Sequence, residues 1–494
     1  MRTNLALLAL PLLLTACMVG PDYVTPSTPT PAAFKETGNW KPAEPKDDTI
    51  RGPWWEIYHD HELNALESQV NISNQNVLQA EAQFREAAAA VKVARAALFP
   101  SVTANPTYTE AQGSQDLSAH SNSAGSQHVG ATTIGTYNLP LEASYMVDVW
   151  GAVRRSVEAN ATTAQASFAD LENARLSYQA TLAEDYFSLR GIDAQQELLQ
   201  TTVVSYQKYL DLTTNRYNSG IASKGDVAQA TTQLDTTKTQ LIDLGVQRAQ
   251  YEHAIATLIG KPAPLFSLGP TPLTATPPKI PLAVPSVLLE RRPDIAGAER
   301  RVASANASIG VATAAYYPTI TLSGSTGLAA IQLSELFSGP SFFWSVGPAI
   351  AQTVFDAGKI HGQVEEARAN YDSTVAAYRE TALTAFQQVE DDLSGLRILK
   401  EEAEVSDEAV KAAQESLAIA TNQYKAGTSD YLTVISAQAI ALNDEVASVT
   451  IRTHRMTTSV LLIEALGGGW DASKIPAASN IAAAPEAQAP KAAK

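Results

Sequence analysis

Cysteine is nearly absent, Cys17 being the only one in 494 residues. A chain with one thiol forms no internal disulfide and no cysteine-ligated zinc site, which also excludes disulfide redox chemistry within the chain. Positive charge is short as well. With 35 Lys and Arg against 51 Asp and Glu the net charge is −16, the wrong sign for gripping phosphate backbones, so no nucleic acid partner is expected. Beyond residue 17 no unbroken apolar run is long enough for a transmembrane helix. Any passage through a bilayer must then be made by strands. Catalytic signatures are missing too: no Ser/His/Asp order, phosphate-cradling glycine loop or metal-binding helix motif stands out, and His59 and His61 have no thiols nearby. The expectation is no enzyme activity, no catalytic residue, no metal and no cofactor.

What is present begins at the N-terminus. Arg2 supplies a positive start, residues 5–14 an apolar stretch and Thr15-Ala16 small residues before a cut, a pattern that reads residues 1–16 as a signal peptide. Leu14-Thr15-Ala16-Cys17 resembles a bacterial lipobox, which implies that Cys17 is acylated and becomes the first residue of the mature chain. Met18 stands where an Asp usually retains such proteins in the inner membrane, so the expected address is the outer membrane. Residues 17–53 read as a lipidated Pro-rich tail, and the Ala/Pro-rich residues 471–494 as a disordered one.

An internal repeat organises the rest. Arg216-Tyr217-Asn218-Ser219-Gly220 recurs as Gln423-Tyr424-Lys425-Ala426-Gly427, a shift of 207 that also relates Gly151 to Gly358. Upstream, Leu98-Phe99-Pro100-Ser101 matches Tyr316-Tyr317-Pro318-Thr319 with a shift of 218, so the segment between is eleven residues longer in the first copy. A length change confined to one place marks a loop. The chain therefore divides into a first repeat over 54–261 with a hairpin at 100–151, a Pro-rich linker over 262–285 and a second repeat over 286–470 with a hairpin at 318–358.

From about Ala152 to Tyr217 and from about Lys359 to Ala426 there is no proline and little glycine, so each stretch is expected to run as one rod on the order of 100 Å long. Leu171, Tyr178, Leu182, Leu189, Leu199, Tyr206 and Leu210 recur at helical spacing, as in helices packed on neighbours. The hairpins switch to period two. Tyr137, Leu139, Leu141, Ala143, Tyr145 and Val147 fall on one face against Thr136, Asn138, Glu142, Ser144 and Asp148. Ile320 and Leu322 alternate with Thr319, Thr321, Ser323 and Ser325, and a further strand is expected from Phe342 to Phe355. One apolar and one polar face suit a barrel with lipid outside and water inside, with the Ser/Gly-rich residues 112–130 at the cell surface. Four strands cannot close a barrel, and an open edge does not survive in hydrocarbon. Two chains would supply eight strands and three would supply twelve, of which the larger number leaves an aqueous bore. A homotrimer is expected.

Several motifs then converge. Cys17-Met18-Val19-Gly20-Pro21-Asp22-Tyr23, Trp54-Trp55 before Leu63-Asn64-Ala65-Leu66, Arg216-Tyr217 with Gly220, Ser223, Asp226 and Val227, and Leu288-Leu289-Glu290-Arg291-Arg292-Pro293-Asp294-Ile295 with Glu299 resemble the lipoprotein, NodT-like branch of TolC-type outer-membrane efflux factors. The resemblance implies an α+β membrane protein: a trimeric twelve-stranded barrel, four strands per chain, continuous with a long periplasmic α-helical barrel. It implies an exit duct for small molecules, docked to a periplasmic adaptor and an inner-membrane pump, commonly of the resistance-nodulation-division class. A passive porin and a non-transporting envelope lipoprotein are the alternatives. Residue by residue, it places Leu432 and Ser436 at the narrowest point of the periplasmic mouth, with Tyr424 and Gln423 bracing the neighbouring helix. Tyr217, Asp226 and Asp430 lie at the same turns. Many relatives carry Asp at the position of Ser436 and a basic residue near Gln423 or Ser429, charges this chain lacks there. By chemistry alone Pro293 and Asp294, with Glu299, read as a helix start, and Ser223 with Asp226 as a capping box.

Overall fold

The computed structural model describes residues 18–37, 52–112, 133–278, 280 and 289–483. Cys17, the signal peptide and residues 113–130 of the expected surface loop lie outside them. In the first repeat α1 (His61–Ser73) and α2 (Gln75–Ala96) lead into β1 (Ser101–Ala104), β2 (Thr107–Gln112) and β3 (Thr133–Val147), followed by α3 (Ala152–Asn218) and α4 (Lys224–Leu258). The second repeat runs α5 (Pro293–Ala314), β4 (Thr319–Ala330), β5 (Phe342–Ala351), α6 (Lys359–Ala426) and α7 (Tyr431–Ala465). One shift of 207 carries the starts of α3 and α4 onto those of α6 and α7, and the end of α4 onto that of α7. Gly151 and Gly358 precede the long rods at φ 80° and 88°, a left-handed backbone that a residue with a Cβ adopts only at a cost, which explains the glycine in both copies.

The strands form one antiparallel sheet in the order β1, β3, β4, β5, with β2 also on β3. β1 and β2 are one strand interrupted at Asn105-Pro106, so each chain brings four strands across the sheet. Register gathers the apolar residues of every strand on one face: Val102 faces Ala143, Tyr108 faces Tyr137, Leu139 faces Leu328, Tyr145 faces Leu322, and Ile320 faces Ile350. Val102, Leu141, Trp344, Val346 and Ile350 are all exposed in the single chain. The strand expected to reach Phe355 stops at Ala351, because Asp356 accepts from the backbone N–H groups of Gly358 and Ile360 and turns the chain into α6. At the strand-to-helix junctions Trp150 stacks on Tyr317 at 4.7 Å and donates to the Pro318 carbonyl, while Phe99, Tyr316 and Phe355 stand exposed. Aromatic rings at that level fit a membrane–water interface. Among the described residues no helix is long and apolar enough to cross a membrane.

The helical stretch before the first hairpin is divided at Asn74, whose side chain accepts from Asn76 and Val77 N–H to start α2 and donates to the Leu258 carbonyl at the end of α4. Two expectations need correction. Residues 471–483 are not a disordered tail: Ala478–Ala483 form a short helix, α8, whose Ile481 is buried against Val91, Ala161 and Ala164. The Gln165 side chain donates to the Pro476 carbonyl beside it. Glu299 lies too far into α5 to serve its first turn, and accepts instead from the Tyr23 hydroxyl and pairs with Arg300. Pro293 does open α5, and the buried guanidinium of Arg292 joins Asp294 to the Ala465 carbonyl at the end of α7, where a cation suits the helix dipole.

Residues 18–37 are strapped along the helices. Val19 donates to the Trp150 carbonyl, and buried Arg155 reaches the Val19 and Gly20 carbonyls and the Asp22 carboxylate. Further on, Asn306 holds Pro21, Arg379 holds Ser27, and Glu390 accepts from the backbone of Lys35 and Glu36. The main core lies midway along the rods, where Trp54, Trp55 and Tyr58 pack with Phe187, Leu63, Leu182 and Leu189. Beside it, Asp193, 3 % exposed, pairs with Arg190 at 3.0 Å and Arg248 at 2.8 Å and accepts from the Thr271 N–H. Both arginines also donate to linker carbonyls, those of Gly269 and Leu268. The linker is thereby sewn onto α3 and α4.

A second charged group sits where α3, α6 and α7 meet. Burial, and then neighbouring carboxylates, push Glu184 and Asp392 up to about 7, while burial pushes Asp185 to about 6 and raises Glu464. These acids hold protons in the fold that the unfolded chain releases between the ordinary carboxylate range and about pH 7. Stability therefore falls as pH rises through that window. A thermal midpoint of the purified protein several degrees higher at pH 5 than at pH 8 is expected, read from the helical circular dichroism signal; equal midpoints would contradict it.

Candidate functional site

The two helix turns farthest from the sheet are built differently from the same repeat. In the first, Ser223 caps α4 by accepting from the Asp226 N–H at 3.1 Å, and the Asp226 carboxylate accepts in return from the Ser223 N–H at 2.9 Å. In the second, Asp430 takes the place of Ser223. Its carboxylate accepts from the N–H and hydroxyl of Thr433, hydrogen bonds that hold it below the usual carboxylate range. Both acids expected at these turns thus serve as caps, which fixes their carboxylates at the helix starts.

Behind the second turn lies a small apolar core. Tyr424 is buried, its ring 5.2 Å from that of Tyr431, with Val434, Ala437, Ala420 and Ala230 around them. Burial pushes the Tyr431 hydroxyl up to about 12. The Arg216 guanidinium lies 4.6 Å over the Tyr424 ring and donates to the Tyr424 carbonyl at 2.9 Å, capping the end of α6 from the other repeat. Tyr424 therefore braces helices of its own chain. Gln423 is exposed, and its carbonyl accepts from the N–H and hydroxyl of Thr428, closing the turn. Tyr217 is half-exposed at the end of α3.

Leu432 and Ser436 stand one turn apart on the opposite, exposed side of α7, with Ile440 one turn further. Leu432 and Ile440 are each 57 % exposed, and the Ser436 hydroxyl donates back to the Leu432 carbonyl at 2.9 Å. An apolar stripe is thus presented by a helix whose other face is locked by Tyr431 and Val434. Arg216, Tyr431 and Ile440 were not singled out as site residues from sequence. Arg216 was visible in the repeat, where its counterpart is Gln423, but nothing in one dimension shows that it crosses to the other copy.

The profile of the outer membrane efflux protein family matches residues 66–261 and 284–468. The chain belongs to that family. Among its relatives, the probable efflux pump outer membrane protein TtgC of Pseudomonas putida is 28% identical, with 95% of this chain and 96% of the relative covered. The toluene efflux pump outer membrane protein TtgF of the same species is 30% identical over 95% of this chain and 98% of the relative. Solved structures agree: the outer-membrane channel OprN superposes with a TM-score of 0.84 at 28% identity, covering 92% of this chain and all of that one. The open-state MtrE channel of Neisseria gonorrhoeae gives 0.81 at 27% identity, with 92% and 98% covered. The outer membrane efflux family is one of channel components rather than enzymes. The chain is accordingly an outer-membrane efflux channel with its helical part in the periplasm.

Proposed function

We propose that this efflux channel rests closed, sealed at its periplasmic mouth by apolar contact between three copies of the α7 stripe and not by ion pairs. The observation that carries this reading is the exposed run of Leu432, Ser436 and Ile440 on a helix start braced from behind by Tyr424 and Tyr431. With Asp226 and Asp430 used as caps and Ser436 bonded to its own helix, the mouth offers no free carboxylate at these positions. Single-channel recording of the purified trimer in a lipid bilayer tests it. A resting conductance near zero, changed little by divalent cations, is expected; a steadily open pore or strong divalent block would contradict it. A scaffold would conduct under no condition, and a passive porin would conduct without any gate being opened. The cargo is left to the pump, since an exit duct selects weakly.

The strap supports a lipid anchor on Cys17. Met18 lies against Gly151 and Val19 donates to the Trp150 carbonyl, so these two residues are held at the aromatic junction between sheet and rods, the level where an anchor in the inner leaflet would be within reach. Mass spectrometry of the N-terminal peptide should find Cys17 as the first residue with acyl chains attached. A free thiol there in membrane-derived protein would exclude the anchor. The division into repeats over 54–261 and 286–470 with the linker over 262–285 between them fits the same reading.

A further inference from the structure

A cavity of about 490 Å³ opens beside the main core, away from the mouth and the sheet. Its wall includes Trp55, Asn71, Glu172, Arg175, Gln179, Trp470 and Lys474, together with the turn Gly467-Gly468-Gly469 that ends α7. That turn is tight by necessity. A Cβ on Gly468 would stand 2.1 Å from Leu176, and all three glycines have positive φ, so the turn brings Trp470 back against α3.

The polar groups of this wall are unevenly used. Trp470 is 6 % exposed and its indole Nε1–H has no acceptor among the described residues, an arrangement rare for a buried donor. The Arg175 Nε–H is likewise buried without a partner among the described residues, its guanidinium being held by Glu172 through Nη1 at 2.6 Å. Among the described residues Lys474 reaches only the Gly469 carbonyl, at 3.4 Å. Most acceptors, by contrast, are engaged: Asn71 Oδ1 accepts from Gln179, Gln179 Oε1 accepts from Trp54, and Glu172 Oε1 accepts from Arg175, with Glu172 Oε2 left over. The spare groups are otherwise donors, two of them on cations, in a chain that is strongly acidic.

We propose that this cavity binds a carboxylate-bearing ligand, with Arg175 and Lys474 supplying charge and Trp470 Nε1–H a directed hydrogen bond. A carboxylate carries acceptors only, which matches a wall whose spare groups are mostly donors, and because the Trp470 Nε1–H and Arg175 Nε–H lie just beneath the wall surface, a small side-chain shift on binding brings them to the ligand. The volume suits a small molecule or the end of a peptide. Both sources share the chemistry, and the probes separate them: N-acetylalanine imitates a peptide chain end and succinate a free organic acid.

Calorimetric titration of the detergent-purified trimer with each probe is the test. At least one should bind, the tighter identifying the source. Arg175→Gln should weaken binding by about tenfold to a hundredfold, and Trp470→Phe, which keeps a ring but removes the N–H, by about two- to tenfold. Lys474 lies on the surface, and Lys474→Gln supplies an independent weakening should either of the other variants fail to assemble. N-acetylalaninamide, lacking the carboxylate, should not bind. The proposal falls if neither probe binds, if the amide binds as well as the acid, or if the correctly assembled variants keep full affinity. It falls equally if a structure of the trimer places a neighbouring chain in the cavity as acceptor for Trp470. None of these outcomes depends on conductance or on how the mouth closes.

Discussion

Leu432→Ser channels should conduct at rest, with an open-to-closed ratio at least about tenfold above that of the unmodified protein. Removing a leucine from an apolar contact costs about 1.5–3 kcal/mol, and even the lower figure, for one of three copies, corresponds to about a tenfold change in an equilibrium. The side chain is free to make that contact because α7 is held from the other side by Tyr431 and Val434. Ser436→Asp should act differently. It places three carboxylates on a ring without caps or arginines to absorb them, so block by divalent cations added on the periplasmic side should appear where none was before. Bilayer recordings with the cation on either side decide both. Leu432→Ser channels as silent as the parent would remove Leu432 from the seal.

The second large effect is one of stability. Asp193→Ala takes from Arg190 and Arg248 the buried carboxylate they share, leaving Arg190 to Glu62 and Arg248 to Glu252, and breaks the bond to Thr271. Removing one member of a buried pair costs about 3–5 kcal/mol, and the two remaining pairs put the expected loss at the lower end of that range. Because both arginines of the network also hold the linker at Leu268 and Gly269, the damage should be local. Limited proteolysis ought to cut the variant between residues 262 and 278 well before the parent, alongside a lower thermal midpoint. An unchanged cleavage pattern would show that the linker is anchored elsewhere.

Much of this architecture was legible in one dimension. The long rods begin and end within a residue of where proline and glycine leave off, since nothing else interrupts a helix of that composition. The two faces of the sheet followed from alternation, and the register that joins them across strands adds what alternation alone cannot supply. Ser223 and Asp226 form the box that their spacing suggested. What escaped depends on contacts distant in sequence. Asn74 breaks a helix because the end of α4 lies beside it. Residues 471–483 look featureless by composition, yet Ile481 finds a seat between α2 and α3. Arg216 is an ordinary basic residue until it is seen lying on a tyrosine some two hundred positions away. The unpaired indole of Trp470 leaves no trace in the sequence at all.

The sheet's two outer strands have a consequence for how the channel comes into being. β1 with β2 on one side and β5 on the other are each paired along one edge only. Neither edge can enter hydrocarbon until another chain covers it. Insertion is therefore tied to encounter, and its rate should rise more steeply than in proportion to the amount of chain available. Halving synthesis would then more than halve the yield of channels during the build-up phase, and the excess would wait in the periplasm with bare edges, open to proteases.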